Sequence, residues 1–252
     1  QGRTLRHIVG RNPRLRWPVP DDLEARLAGQ TLRSLDRRGK YLLFDFGATT
    51  QIVHLGMSGS LRLAGPDEPA ALHDHVDWRF DDGSTLRLRD PRRFGAVLWT
   101  DDVAHHPLLA HLGPEPLTPA FDAAWLHAHC RHRNAAIKQV IMDASVVVGV
   151  GNIYASESLF HAGIRPGTAA RRLTRPACER LAAAIKQVLT AAIAAGGSSL
   201  RDYVGSGGEL GYFQLQTRVY DRAGLPCKTC ATPIRRIVQG QRASFYCPVC
   251  QR

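Results

Sequence analysis

Much that would place a chain of 252 residues quickly in a known class is missing here, and each absence narrows the choice. No apolar run approaches the roughly eighteen residues of a membrane-spanning helix. The start lacks the basic, apolar and small-residue order of a secretory signal, so a soluble cytoplasmic protein is expected. No internal repeat stands out, which argues against solenoids and propellers. Acidic residues are few: 22 Asp and Glu stand against 33 Lys and Arg, for a formal charge of +11 and a pI near 9.9. Lysine is scarcer still, with Lys40, Lys138, Lys186 and Lys228 alone, so 29 of the 33 basic residues are Arg. The positive excess attracts polyanions, nucleic acid foremost, although the Arg share by itself can follow from codon bias. An initiating Met is absent too. The chain opens at Gln1, and residues 4–9 already alternate like a strand, so the sequence is expected to begin inside a domain.

Only six cysteines are present, and four of them carry a pattern. Cys227 and Cys230 form one C-x2-C pair, sixteen residues intervene, and Cys247 and Cys250 form the second. Each such knuckle aims two sulfurs at one tetrahedral centre, which is the spacing of a four-thiolate zinc site. Two disulfides would need an oxidising compartment and would leave Cys130 and Cys178 as isolated thiols. One structural zinc ion is therefore expected, closed by four protein ligands and without a position for reacting water. Between the knuckles, residues 232–246 read as two short strands about a Gln239-Gly240-Gln241 turn, which puts Arg242 just past the tip. A guanidinium there suits a phosphate; a merely solvated hairpin residue fits as well.

The length allows one large domain or two of ordinary size. Up to about Trp99 the pattern is mostly β, with short strands at 41–46, 51–54, 60–63, 76–80, 85–88 and 96–99, as in a sandwich or barrel. A helix is expected at 20–27. From 101 to 117 the chain is rich in Pro, His and Gly, a linker composition, and helices are expected beyond it at 119–130, 135–142, 153–162 and 176–195. In the last of these Leu181, Ile185, Val188, Leu189 and Ala192 make one apolar stripe, Thr174 can cap the start and Gly196-Gly197 ends it.

Two loops offer more than connection. Val148-Gly-Val-Gly-Asn152 leads straight into a helix, so its backbone N–H groups and the Asn152 amide suit an anion. It fails as a dinucleotide fingerprint, having no βαβ unit around it. Gly205, Gly207, Gly208 and Gly211 punctuate the stretch 198–211, which reads equally as a lid or as a plain linker.

Taken together, Lys40-Tyr-Leu-Leu, His54-Leu-Gly-Met-Ser-Gly-Ser-Leu-Arg62, His73-Asp-His-Val-Asp77, Asp90-Pro-Arg-Arg-Phe-Gly95, His111-Leu-Gly-Pro-Glu-Pro-Leu117, Val148-Gly-Val-Gly-Asn-Ile-Tyr-Ala-Ser-Glu157 and the cysteine hairpin resemble bacterial formamidopyrimidine-DNA glycosylase along the whole chain. The sister endonuclease VIII branch typically lacks the His54 and Asp90 runs. The resemblance implies an α+β fold: an N-terminal β-sandwich (1–115), a helix-two-turn-helix domain (116–220) with a lesion loop at 198–211, and a C-terminal zinc finger hairpin (221–252). It implies a monomeric, nucleoid-associated base-excision-repair enzyme, a glycosidase and lyase, that binds double-stranded DNA in the cleft between its halves, flips out 8-oxoguanine and formamidopyrimidines, and cuts the strand at the abasic site. On this resemblance Met57, Arg92 and Phe94 fill the void left by the everted base, although residue preference alone puts Met57 and Phe94 in a core. Phosphate contacts fall on Lys40, His73, Arg92, Arg133, Asn152 and Arg242. Lys40 and Arg242 double as proton donors in catalysis. Lys138 and Asp143 lie on the lesion side, Glu157 braces the helix bearing Asn152, and the 198–212 loop closes over the base.

One departure stands out. The family's nucleophile is an N-terminal proline, followed by a glutamate acid, and neither occurs in this sequence. A secondary amine suits the chemistry because its iminium adduct acidifies the neighbouring C2′ proton and so permits β-elimination. Either these residues are a piece of an ordinary enzyme, or they form a damaged-DNA-binding relative that does not cut. Retention of both Lys40 and Arg242 favours the enzyme. A zinc-ribbon transcription or RNA-binding factor would leave the long β region without purpose.

Overall fold

The computed structural model describes residues 1–65, 68–197 and 217–252. Among these, one compact unit is Gln1–Ala110 and a second runs from His111 onward, taking in the helices and the terminal hairpin. The glycine-rich stretch read as a lid or linker, 198–211, lies outside the described residues.

The first unit holds β1 (Leu5–Gly10), a short helix α1 (Leu23–Leu27), then β2 (Ser34–Arg38), β3 (Tyr41–Asp45), β4 (Thr50–His54), β5 (Ser60–Ala64), β6 (Asp74–Phe80), β7 (Thr85–Arg89) and β8 (Ala96–Thr100). They form two four-stranded antiparallel sheets, ordered β1-β6-β7-β5 and β2-β3-β4-β8. One core joins the sheets: Leu5, Ile8, Val76, Trp78 and Leu88 come from the first, Phe44, Val53 and Val97 from the second, with Leu23 and Leu27 of α1 beside them. Inner faces that interdigitate in this way make a β-sandwich rather than a closed barrel.

Two details depart from expectation. Strand β2 is not legible in the sequence, because Ser-Leu-Asp-Arg-Arg has no apolar alternation and three of its five residues are exposed. It is an edge strand, tied by its backbone ladder to β3 with Ser34 opposite Asp45 and Arg38 opposite Tyr41, and charge is what such an edge needs to resist pairing with other chains. Helix α1 starts three residues later than 20–27 implies, at Leu23, because Pro20 to Asp22 make the entering turn and Asp22 gives no side-chain cap.

Charge is also buried in this sandwich. Asp77 is fully enclosed on β6 and accepts from Arg87 Nε and Nη2 at 2.8 and 2.9 Å, and from Arg11. Arg87 also donates to the carbonyls of Glu68 and Pro69, so the network ties β7 to the segment leading to His73. Burial pushes the Asp77 carboxyl up, but the bonds and charges of Arg87 and Arg11 outweigh it and hold it down to about 2.

In the second unit α2 (Ala123–Cys130), α3 (Ile137–Ile141), α4 (Asn152–His161) and α5 (Arg175–Ala194) pack with a 3-10 turn at Ala170–Arg172. The Asp122 carboxylate caps α2 by accepting from Trp125 N at 2.7 Å, and Thr174 Oγ1 caps α5 by accepting from Ala177 N. The α5 stripe is core as expected: Leu181, Ile185, Val188, Leu189 and Ala192 are all buried. Gly196 and Gly197 follow it with φ of 72° and 90°, a left-handed backbone that ends a helix. Strands β9 (Arg235–Gln239) and β10 (Arg242–Tyr246) form the terminal hairpin, with Arg242 opposite Gln239. No helix among the described residues is long and apolar enough to cross a membrane.

Candidate metal centre and nucleic-acid interface

The two knuckles meet. One Sγ from each of Cys227, Cys230, Cys247 and Cys250 lies within 4.8 Å of the other three. Cys227 and Cys250 are 3.9 Å apart and Cys230 and Cys247 3.4 Å, against the roughly 3.8 Å that tetrahedral Zn–S bonds of about 2.3 Å imply. Backbone N–H groups of Thr229 and Cys250 point at the sulfurs of Cys227 and Cys247, both at 3.4 Å. The Thr232 hydroxyl and N–H bring Cys230 down to about 6, whereas burial and then the neighbouring sulfurs push Cys250 up. A dication at the centre reverses that repulsion and lets all four thiols ionise, so the donor set fits a closed structural zinc site.

The hairpin is bolted to the helices at two places. At the knuckle end, Gln251 is fully buried: its Nε2 donates to Ile164 O and its Oε1 accepts from Cys247 N, both at 2.8 Å. Arg165 adds bonds to the carbonyls of Gln251 and Pro248. At the tip end, Gln239 Nε2 reaches Pro166 O, and Gly240, with φ of 52°, lies so close to the Gln139 amide that a Cβ would strike it. Lys138 on α3 is buried and donates from Nζ to Ala243 O (2.9 Å) and Ser244 Oγ (2.7 Å). Burial, then the Arg242 charge, depress its ammonium to about 8. The resemblance puts Lys138 on the lesion side; its observed contacts are with the two residues that follow Arg242, which itself is exposed. Changing Lys138→Ala deletes both bonds and leaves a buried void, and a urea melt is expected to show a loss of about 2–3 kcal/mol.

In the first unit the connection from β4 to β5 carries Met57, and the one from β7 to β8 carries Arg92 and Phe94. Residue preference puts Met57 and Phe94 inside, yet they are 58% and 41% exposed. The Arg92 guanidinium stacks 4.8 Å from the Phe94 ring centroid. Gly56, with φ of 65°, lets the Met57 loop lie directly on the Phe94 backbone, where any Cβ would collide. Lys40 follows Gly39 in the β2–β3 turn and is exposed. Its charge, after burial and together with Arg16, lowers the nearby His54. His73 stands at the entry to β6, half-buried, with its carbonyl accepting from Asp90 N.

Family profiles match the chain in three consecutive parts: the Formamidopyrimidine-DNA glycosylase N-terminal domain over 1–97, the Formamidopyrimidine-DNA glycosylase H2TH domain over 112–204, and the zinc finger found in FPG and IleRS over 224–252. A formamidopyrimidine-DNA glycosylase of Thiobacillus denitrificans is 77% identical over 252 residues, which is all of this chain and 93% of that one. The chain belongs to the formamidopyrimidine-DNA glycosylase family. A formamidopyrimidine-DNA glycosylase of Bordetella pertussis is 59% identical, over all of this chain and 93% of that one. Among solved structures, the Lactococcus lactis Fpg in complex with DNA containing an abasic site superposes with a TM-score of 0.91 at 35% identity, over 100% of this chain and 93% of that one. The MutM (Fpg) protein of Thermus thermophilus gives 0.88 at 39%, over 99% and 92%.

In this member of the formamidopyrimidine-DNA glycosylase family the four cysteines hold a structural zinc. The remaining expected site residues stand on separate elements of the second unit. Arg133, just past α2, is oriented by the Asp143 carboxylate at 3.0 Å, which also accepts from Ser145 N and Oγ. Asn152 opens α4 behind Gly151, and its buried Oδ1 has no protein partner among the described residues. Glu157 lies on the same helix as Asn152. Its buried carboxylate accepts three backbone N–H groups, from Arg218 (2.7 Å), Val219 (3.0 Å) and Tyr220 (2.8 Å), and so pins the approach to the zinc hairpin onto α4. No sequence signal separates Gln251 from an ordinary surface polar residue, since its partner Ile164 lies far along the chain.

Proposed function

We propose that this chain is a base-excision-repair DNA glycosylase with AP lyase activity, which removes oxidised purines, 8-oxoguanine and formamidopyrimidines, from duplex DNA by base flipping. The observation that carries this reading is the exposure of Met57, Phe94 and the stacked Arg92 guanidinium on two loops locked side by side. A base cannot be cut inside the stack. Apolar side chains held out on rigid loops can fill the place of an everted nucleotide, and a guanidinium can bond the orphaned partner base.

In this reading Lys40, His73, Arg92, Arg133, Asn152 and Arg242 contact phosphates, and Lys40 and Arg242 also donate protons during strand cleavage. The zinc holds the Arg242 turn rigid and takes no part in the bond-breaking. The working organisation is a sandwich domain (1–115), a helix-two-turn-helix domain (116–220) and a zinc finger (221–252), acting as a monomer on DNA in the bacterial cytoplasm, at the nucleoid. Six phosphate contacts give a slope of about −5 for log affinity against log salt.

Borohydride trapping on a duplex with 8-oxoguanine opposite cytosine tests the chemistry. Attack of a protein amine at C1′ expels the base and leaves an iminium, which borohydride reduces to a stable amine cross-link. A covalent adduct is expected, and the mapped peptide names the attacking amine. Tight, salt-sensitive binding without any adduct would overturn the enzyme reading.

A further inference from the structure

The two loops assigned to void filling are far apart in sequence, yet one buried side chain touches both. Asp90, at the end of β7, has no exposed surface. Its Oδ1 accepts from Ser58 Oγ and its Oδ2 from Gly95 N, both at 2.7 Å. Ser58 follows Met57, and Gly95 follows Phe94. Ser58 Oγ in turn accepts from Arg92 N at 3.2 Å, so the bonds take in Arg92 itself and the residues next to Met57 and Phe94. The Asp90 backbone is held as well: its N–H donates to His73 O, and its carbonyl receives the Arg93 N–H (3.2 Å) and lies 2.9 Å from His75 Nε2. Arg93 has a left-handed φ of 56°, a conformation that a non-glycine residue keeps only when its surroundings impose it.

The packing agrees with the bonding. A Cβ on Gly95 would run into His54 O and Asp90 Oδ2, one on Gly56 into the Phe94 backbone, and one on Gly59 into Leu55. Neither loop can shift against the other without breaking the Asp90 bonds, and a fully buried carboxyl that loses a partner is costly to leave unpaired. Ser58 is also buried, so water does not readily replace its hydroxyl.

We infer that Asp90 and Ser58 form a latch that holds the Met57 loop and the Arg92–Phe94 loop in one register, and that both are positioning residues for base eversion. The inference rests on the proposed function, since it gives the latch its purpose. It adds that eversion depends on two groups which do not touch DNA and act through Met57, Arg92 and Phe94. An untethered Met57 loop still offers a side chain to DNA, but the wedge no longer enters as a unit with the guanidinium beside it.

The test uses a duplex carrying a stable tetrahydrofuran abasic analogue with 2-aminopurine as the neighbouring base, whose fluorescence rises when it is unstacked. Ser58→Ala and Asp90→Asn are compared with the unaltered protein and with Met57→Ala, at protein concentrations that saturate the duplex in a gel-shift assay. Both variants are expected to bind about ten-fold more weakly. At saturation they should give less than about half of the full fluorescence rise, as Met57→Ala does. A role confined to stability would lower affinity or melting temperature and leave the rise at saturation unchanged. Folded Ser58→Ala with a full rise overturns the latch. Should Asp90→Asn fail to fold by circular dichroism, Ser58→Ala decides alone, because it leaves the Asp90 to Gly95 bond in place. If the unaltered protein shows no preference for the abasic duplex over an undamaged one, the proposed function fails and takes the latch with it. That result is distinct from normal binding with an unaffected variant.

Discussion

Cys247→Ser is expected to release the metal, melt the terminal hairpin and reduce affinity for a lesion-bearing duplex by on the order of a hundred-fold. The size follows from how little else holds β9 to β10. A two-stranded ribbon is marginal in water on its own, and the apolar cluster beneath it has only Val219, Ile234 and Phe245 besides the cysteines among its buried members. Structural zinc contributes an apparent 10–16 kcal/mol or so in comparable fingers, far more than that cluster supplies. Once the hairpin melts, the Lys138 and Gln251 bonds lose their geometry and Arg242 is no longer fixed. The helices should survive, since their core of Phe121, Leu126, Ile141, Leu159, Leu181 and Ile185 does not use the finger. Zinc content, far-ultraviolet circular dichroism and a duplex gel shift measure the three effects, and a strong chelator should reproduce them in the unaltered protein. Retention of both full affinity and about one zinc per chain would disprove the account.

Asp77→Asn is expected to destabilise the sandwich by about 3 kcal/mol, because it takes from the buried Arg87 the carboxylate it is hydrogen-bonded to and leaves it only the more distant charges of Asp74, at 3.6 Å, and Glu68, at 3.8 Å. Replacing both partners, as in Asp77→Asn with Arg87→Met, should restore part of the loss, since the buried guanidinium is then removed together with the carboxylate it paired with. The same network makes stability depend on acid. The Asp77 carboxyl is at about 2 in the folded protein against an ordinary 3.8. A folded value below the unfolded one means that the stabilisation is complete above the unfolded value and is lost as pH falls toward the folded one. Between about pH 4 and pH 2 this group should therefore withdraw about 2 kcal/mol. Urea midpoints measured at pH 5, 4 and 3 should fall more steeply for the unaltered protein than for Asp77→Asn. Parallel lines would show that Asp77 carries no such linkage.

Much of this protein is legible residue by residue. The zinc site is readable because its geometry is local: two C-x2-C knuckles and a short hairpin between them leave few ways to place four sulfurs. The strands of the sandwich show as alternation, and α5 as an apolar stripe with a Thr cap and a Gly-Gly stop. The polar edge strand β2 is hidden, since a backbone ladder to β3 holds it and its side chains carry no pattern. Residue preference misleads at Met57 and Phe94. Burial averages describe what most methionines and phenylalanines do, whereas these two stand exposed on loops that pack together closely enough to need glycine at 56 and 95.

Composition, local spacing and the order of elements thus follow from the chain alone: a basic chain, a β half, a helical half and a four-thiolate finger. Which buried polar groups share a place is settled only by folding. Asp90 with Ser58, Lys138 with Ser244, Glu157 with Val219 and Gln251 with Ile164 are all distant pairs, separated by 32, 106, 62 and 87 residues. Local propensity acts over a few residues, while such pairs form only when sheets and helices close on one another and remove water from both partners at once. The cost of leaving either partner unpaired then makes the arrangement specific.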